Sequence, residues 1–460
     1  MTDMTAQAPT SASTLAYDTY RAIWRWHFYA GLIAVPFMIL LAVTGSLYLF
    51  RDEIDETIFS HRNVVAEQAS PMLAPSRLAE AARSAVPGSR LTAYREPSGP
   101  QASARISLET DDGPVYAFVD PYDGRVLGSV AKSAEFNEVV RQLHSLAFFG
   151  PYANRLIEAI AGFAIILVVS GFYLWWPRRQ SGGVLTVRGT PAKRVFWRDT
   201  HAVTGAVAGL LIAFLALSGL PWSSVWGGQL TRIAVATGTG YPAALWDEVP
   251  TSGEHAEHAM ETVGWTMESS PMPTSSGAMA QGGSMEPISL DRAVAIAREK
   301  GLAPRFEVSV PAAETGVYTA AIFPDDLDAV RTIHIDQYSG EPLVDVRYAD
   351  YGSTAKLTEL GINIHMGQEF GLANQLLMLA TCLAIVLSSV SALVMWLKRR
   401  PSGRLGVPPY PASRRVYGSL WAMAVVFGVL FPLSGILMVA MLAFDLLLVR
   451  NVPILRRIFA

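Results

Sequence analysis

Four histidines stand at matched places in this chain and could do chemistry together: His27, His144, His201 and His365. His27 and His201 each open an apolar run; His144 and His365 each stand shortly before one. Neutral imidazole is the usual nitrogen ligand of haem iron, and two of them on facing helices can hold the iron from both sides. Gly31 and Gly205 each follow a histidine by four residues, on the same helix face. Their missing side chains could leave room for a flat macrocycle. The competing reading is a set of polar residues at a water boundary, with the glycines serving helix packing. Matched pairs favour haem over that reading: two haems, one per membrane face, would form an electron path. No residue stands out as catalytic in its own right.

The elements that must position these histidines are membrane spans. Charged residues make up 16% of the 460 and apolar ones 51%, where a soluble domain is nearer a quarter charged. Four spans are expected at about Phe28–Phe50, Leu156–Trp176, Ala202–Trp222 and Leu376–Leu397. Each is long enough for a bilayer core of roughly 30 Å at about 1.5 Å per residue. The apolar stretch Val416–Val449 reads as a hairpin broken near Pro432, or as one helix with an amphipathic end. The first run has no small-residue cleavage site after it and reads as an uncleaved span.

The same composition narrows the chemistry. A net charge of −3 argues against a nucleic-acid partner. The single cysteine, Cys382, rules out an internal disulfide, covalent haem attachment through CxxCH and a cysteine-held iron–sulfur cluster; it reads as a packing residue. No Walker loop and no GxGxxG after a strand is present, so no nucleotide site is legible.

Two short loops carry cations with hardly an acid among them. One holds Arg178, Arg179, Arg188, Lys193, Arg194 and Arg198; the other Lys398, Arg399, Arg400, Arg404, Arg414 and Arg415. Such loops belong in the cytoplasm, which puts the long segments 51–143 and 223–364 outside. Tryptophans at the span ends, among them Trp24, Trp175, Trp197 and Trp396, fit an interfacial belt.

The chain also repeats itself. Trp24-Arg-Trp-His27 and Gly31 lie over Trp197-Arg-Asp-Thr-His201 and Gly205, and Thr44-Gly45 over Ser218-Gly219, each glycine 18 residues after its histidine. His144, Phe149-Gly150, Asn154 and Trp176 lie over His365, Phe370-Gly371, Asn374 and Trp396. Ser434-Gly435 looks like a third, degraded start, with Tyr417 in place of the histidine. The outside segments repeat as well. Amphipathic helices are expected at Pro75–Ala85 and Ser289–Lys300, followed by strands such as Ala104–Leu108, Val115–Val119, Val317–Ile322 and Thr332–Ile335. Asp120-Pro-Tyr122-Asp-Gly124 matches Asp336-Gln-Tyr338-Ser-Gly340 as a turn.

The second outside segment carries an insertion at about 241–287 with His255, His258, Met260, Met267, Met272, Met279 and Met285. Thioethers and imidazoles select soft ions such as Cu(I), so the insertion reads as a flexible metal-collecting loop or, equally, as a methionine-rich linker. His61 and His334 have no repeat partner and read as ordinary residues. Asp445 is read as the only acid deep in an apolar stretch, and no midspan acid of the transporter kind is identified.

The Asp-x-Tyr-x-Gly turns resemble PepSY domains. The HxxxG, Trp-Trp-Pro-Arg-Arg and HxxxxFG span signatures resemble the PepSY-associated transmembrane family, which includes FoxB-type inner-membrane siderophore reductases. The resemblance covers the chain from about Tyr20 onward. It implies an integral membrane α-helical protein with two small α+β PepSY-like periplasmic domains. It also implies b-type haem on His27, His201, His144 and His365, and reduction of a ferric siderophore in the bacterial periplasm. The insertion admits copper as the substrate.

The expected order is a disordered N-terminus (1–20), span 1 (21–50), periplasmic domain 1 (51–143), span 2 (144–177) and a cytoplasmic loop (178–198). Span 3 (199–222), periplasmic domain 2 (223–364), span 4 (365–397), a second cytoplasmic loop (398–415) and a C-terminal span or hairpin (416–460) follow. The expected activity is a dihaem metalloreductase fed by an unidentified donor such as a quinol or a flavin reductase. The alternatives are a metal or haem transport accessory without redox chemistry, and a PepSY-type binding or regulatory protein.

Overall fold

The computed structural model describes residues 11–178, 182–247, 249–256, 263–275 and 286–459. The chain divides into two compact units, interleaved in sequence: Met1–Ser46, Gln142–Gly228 and Leu376–Ala460 form one, Leu47–Arg141 and Gln229–Gln375 the other.

The first unit is built from helices α1 (Ser11–Leu49), α2 (Pro151–Trp175), α3 (Arg194–Ser218), α4 (Leu372–Leu397), α5 (Arg414–Leu430) and α6 (Pro432–Ala443). Among the described residues five helical stretches are long and apolar enough to cross a membrane: those of α1, α2, α3 and α4, and α6 with its π-helical continuation to Val449. A helix satisfies its own backbone, which is why an apolar run of this length adopts one. Pro151 and Pro432 sit in the first turns of α2 and α6, where no amide donor is needed. α1 begins at Ser11, so residues 11–20, expected to be disordered, are its first turns; residues 1–10 lie outside the described set.

The helices meet through small residues. Ala42 of α1, Ala208 and Ile212 of α3, and Cys382 and Ile385 of α4 share one buried cluster, so Cys382 is the packing residue its apolar run suggested. Ala34 of α1 packs with Ile160 and Phe163 of α2 and with Leu437 and Met438 of α6. α5 and α6 meet where the chain turns back at Phe431: a Cβ on Gly435 would fall 2.3 Å from the Gly428 Cα. The C-terminal stretch is therefore a hairpin. Its end returns to the second basic loop, Leu405 N donating to the Ile458 carbonyl at 2.7 Å. Asp445 lies buried among protein side chains. It takes hydrogen bonds from Arg25 Nη2 at 2.5 Å and Tyr29 Oη at 2.7 Å, and Arg25 also reaches the Pro408 carbonyl.

The second unit holds eight strands in one antiparallel sheet. In chain order β1 is Arg90–Arg95, β2 Ala104–Thr110, β3 Gly113–Val119 and β4 Val126–Ala131. β5 (Thr251–His255) and β6 (Pro271–Pro273) form a separate hairpin in the insertion. β7 is Glu307–Ser309, β8 Val317–Ile322, β9 Arg331–Asp336 and β10 Pro342–Arg347. The sheet order is β10-β9-β8-β7-β1-β2-β3-β4. The two expected α+β domains thus share one sheet, joined by the pairing of β1 with β7. Helices Pro75–Ala85 and Leu290–Glu299 cover one face, where Leu78, Ile106, Phe306 and Ile333 form the core. At the seam, the buried Glu307 carboxylate lies 3.0 Å from both Arg95 and Arg105.

The matched turns are the same turn. Asp120 Oδ1 accepts from Tyr122 N at 2.9 Å, and Asp336 Oδ1 from Tyr338 N at 2.8 Å. The glycine that ends each turn has a positive φ, +74° at Gly124 and +73° at Gly340. That backbone is open to glycine at little cost, and the Asp side chain closes the turn.

Candidate functional site

His27 and His201 come together. Their rings lie 6.1 Å apart between centroids, at 77° to one another. An imidazole–metal bond is about 2 Å, so two imidazoles on opposite sides of one metal have centroids about 6 Å apart. The observed spacing fits two ligands of a single iron.

The hydrogen bonds choose the tautomers. His27 Nδ1 lies 2.8 Å from Ser170 Oγ, and that hydroxyl donates to the Ile166 carbonyl at 2.5 Å. With its proton so placed, Ser170 must accept from His27 Nδ1–H. His201 Nδ1 lies 3.0 Å from the Ser388 carbonyl and 3.1 Å from the Ser388 hydroxyl; the carbonyl can only accept, so it takes the Nδ1–H. Both rings therefore keep their lone pair on Nε2, the arrangement a metal-ligating histidine has when its other nitrogen is tied to an outer partner. His27 is held by α2 and His201 by α4.

Glycines set the room around them. A Cβ on Gly205 would meet nothing within 4 Å, so open space lies beside α3. At Gly31 it would meet Leu167 Cδ2 at 3.8 Å, an ordinary packing contact. Gly171, which sequence reasoning missed, lies against His27: its Cβ would fall 3.4 Å from the His27 Cε1.

His144 repeats the pattern at the other end of α1. It closes the helix Phe136–His144, and its Nδ1 lies 2.9 Å from Thr44 Oγ1. Thr44 donates to the Leu40 carbonyl at 2.7 Å, so it too accepts from the imidazole. A Cβ on Gly45 would fall 3.4 Å from the His144 Cε1. The Thr44-Gly45 match in the repeat was the signal for this pocket. Thr44 follows His27 by 17 residues, which is about 25 Å along a helix. His365 closes the helix Ser353–His365 in the second unit. Asn154 donates to the Ser145 carbonyl at 2.8 Å and Asn374 to the Ile364 carbonyl at 2.9 Å, so each histidine has a matched asparagine bonded to its chain neighbour. Trp175 Nε1 donates to the Val184 carbonyl and Trp396 Nε1 to the Leu405 carbonyl, each nine residues on. The equivalence is therefore Trp175 with Trp396, one residue from the sequence alignment.

The insertion departs from a flexible metal-collecting loop where it is described. Met267 and Met272 are buried, Met267 beside Trp246 and Val344 and Met272 beside Val317 and Ala321. Their thioethers pack rather than face a metal solution, because the insertion covers the second face of the sheet. His255 Nδ1 is 2.9 Å from the Ser269 carbonyl. His258, Met260, Met279 and Met285 lie outside the described residues. Among the described residues no group of three or more histidine, cysteine or acidic side chains could hold a metal ion.

Glu158, buried in α2, corrects the reading of Asp445 as the only acid deep in an apolar stretch. It is 1% exposed, and its Oε2 accepts from Val225 N at 2.9 Å and Trp226 N at 3.2 Å, while Oε1 has no partner.

Five helical stretches of this length among the described residues mark a multi-pass membrane protein. The chain belongs to the PepSY-associated transmembrane family, whose family model, described as the PepSY-associated TM region, matches residues 24–399. No curated protein matches the chain significantly.

Proposed function

We propose that the chain is a haem b-containing reductase of the bacterial inner membrane, passing electrons across it to a periplasmic metal complex, a ferric siderophore or Cu(II). The His27–His201 pair carries this reading: 6.1 Å between rings, with both Nδ1–H groups committed to acceptors. His27 and His201 would hold one haem towards the cytoplasm, and His144 would serve as a ligand of a second towards the periplasm. Bound there, haem supplies one-electron ferric/ferrous chemistry. The chain's part is to fix the ligand rings through Ser170, Ser388 and Thr44 and to keep water from them with apolar helix faces. The cations of the two short loops support a reading in which those loops are cytoplasmic and the sheet lies outside. A quinol, a flavin reductase or a soluble carrier serves as donor.

The test is the absorbance spectrum of the purified protein. A Soret band with α and β bands that sharpen on reduction is expected. A colourless protein from haem-replete cells contradicts the reading.

A metal or haem transport accessory is the second reading, favoured by the buried carboxylate of Glu158. Metal uptake by sealed vesicles with no electron donor present would support it.

A further inference from the structure

The helix Arg51–Thr57 and the first turn of the helix Phe136–His144 meet through one acid and one amide. Asn137 Nδ2 donates to Asp55 Oδ2 at 3.0 Å. The other oxygen of each side chain, Asp55 Oδ1 and Asn137 Oδ1, is buried with no hydrogen-bond partner. Two orphaned acceptors on one hydrogen-bonded pair are costly, since each loses its water and gains nothing. One proton removes both defects at once. A protonated Asp55 donates from Oδ1 to Asn137 Oδ1 and accepts from Asn137 Nδ2, closing a cyclic acid–amide pair.

We propose that Asp55 holds a proton shared with Asn137, and that this proton fastens the helix ending at His144 to the helix Arg51–Thr57. Asp55 is thus a positioning residue for the outer histidine. The charges around it agree. Glu135 faces it, already engaged by Arg62 Nη2 at 3.1 Å and by Glu138 N at 3.0 Å, and its negative charge disfavours a second carboxylate beside it. Asp52 adds to that repulsion but is paired with Arg305 at 2.6 Å; Arg62 and Arg305 act in the opposite sense. Burial first, and Glu135 next, push the acid up to about 6. A metal ion fits less well, because Arg62 occupies the Glu135 carboxylate.

The sign follows from linkage. A raised folded-state value means that the contact is complete below the unfolded value of 3.8 and is lost as pH rises through about 6. The fastening is tighter in acid, on the helix that leads into His144. The inference needs no haem, so its failure and that of the reductase reading are separable.

The test is a pH titration by infrared difference spectroscopy on the full chain in detergent. A protonated-carboxyl carbonyl band is expected to vanish with a midpoint near pH 6. The band should be absent in Asp55→Asn and shifted in Asp55→Glu, which serves if Asp55→Asn does not fold. Hydrogen exchange at residues 138–144, corrected for intrinsic rates, should lose protection by up to about tenfold per pH unit above the midpoint. Asp55→Asn, which keeps an amide pair, should make that profile flat and protected, and Asp55→Ala flat and unprotected. A wild-type protein without the band at pH 5, or the same exchange profile in Asp55→Asn as in wild type, overturns the proposal.

Discussion

At the scale of single residues, the informative atoms are the nitrogens that do not face the proposed iron. Ser170, the Ser388 carbonyl and Thr44 each take an Nδ1–H, and both hydroxyls are themselves tied to carbonyls one turn back. Ser170→Ala and Thr44→Val should each weaken haem retention about 10–100-fold. Haem transfer to an apo-globin acceptor measures this, and Ser170→Thr should restore the hydroxyl. Sequence comparison pointed to Thr44, because the repeat aligned it with Ser218. It did not point to Ser170 or Ser388, which lie inside the long helices α2 and α4 and matter only once those helices pack on α1 and α3. A different histidine contributes to acid stability. His334 is buried in β9, its Nδ1 2.9 Å from Thr319 Oγ1, and burial pushes it down to about 4. A lowered value means that its contribution is whole above 6.5 and is lost as pH falls through about 4. His334→Gln should flatten the fall in unfolding midpoint of the sheet between those values.

At the scale of elements, the spans and the repeated helices and turns were legible because each is a local pattern. An apolar run long enough to cross a bilayer, or an Asp-x-Tyr-x-Gly turn, declares itself within a few residues. The seam was not legible. β7 is three residues long, and its pairing with β1 joins segments far apart in sequence. Its central side chains, Arg95, Arg105 and Glu307, read as surface charges until the strands bring them together. Removing the shared carboxylate leaves two guanidiniums facing each other. Glu307→Gln should therefore destabilise the sheet by about 2 kcal/mol, below the range for fully buried pairs because both arginines are partly exposed. Denaturant unfolding followed by tryptophan fluorescence reads it. Gly124→Ala and Gly340→Ala should each cost about 1–2 kcal/mol through the left-handed turn. The insertion was misread where its methionines are core: a methionine-rich composition looks the same whether it packs or binds.

At the scale of the whole molecule, the sequence reads as two copies of helix, sheet-forming segment, helix over most of the chain. The family match ends at 399, and the C-terminal hairpin lies beyond it. Through Asp445 that hairpin grips Arg25 and Tyr29, on either side of His27 in α1. Asp445→Asn should therefore loosen the inner site while sparing the outer one. The most direct test of the account is haem quantitation per chain, by pyridine haemochrome, in wild type and in His201→Ala. The expected result is two haem b per wild-type chain and one per His201→Ala chain. No haem in the wild type, or an unchanged content in His201→Ala, would contradict it.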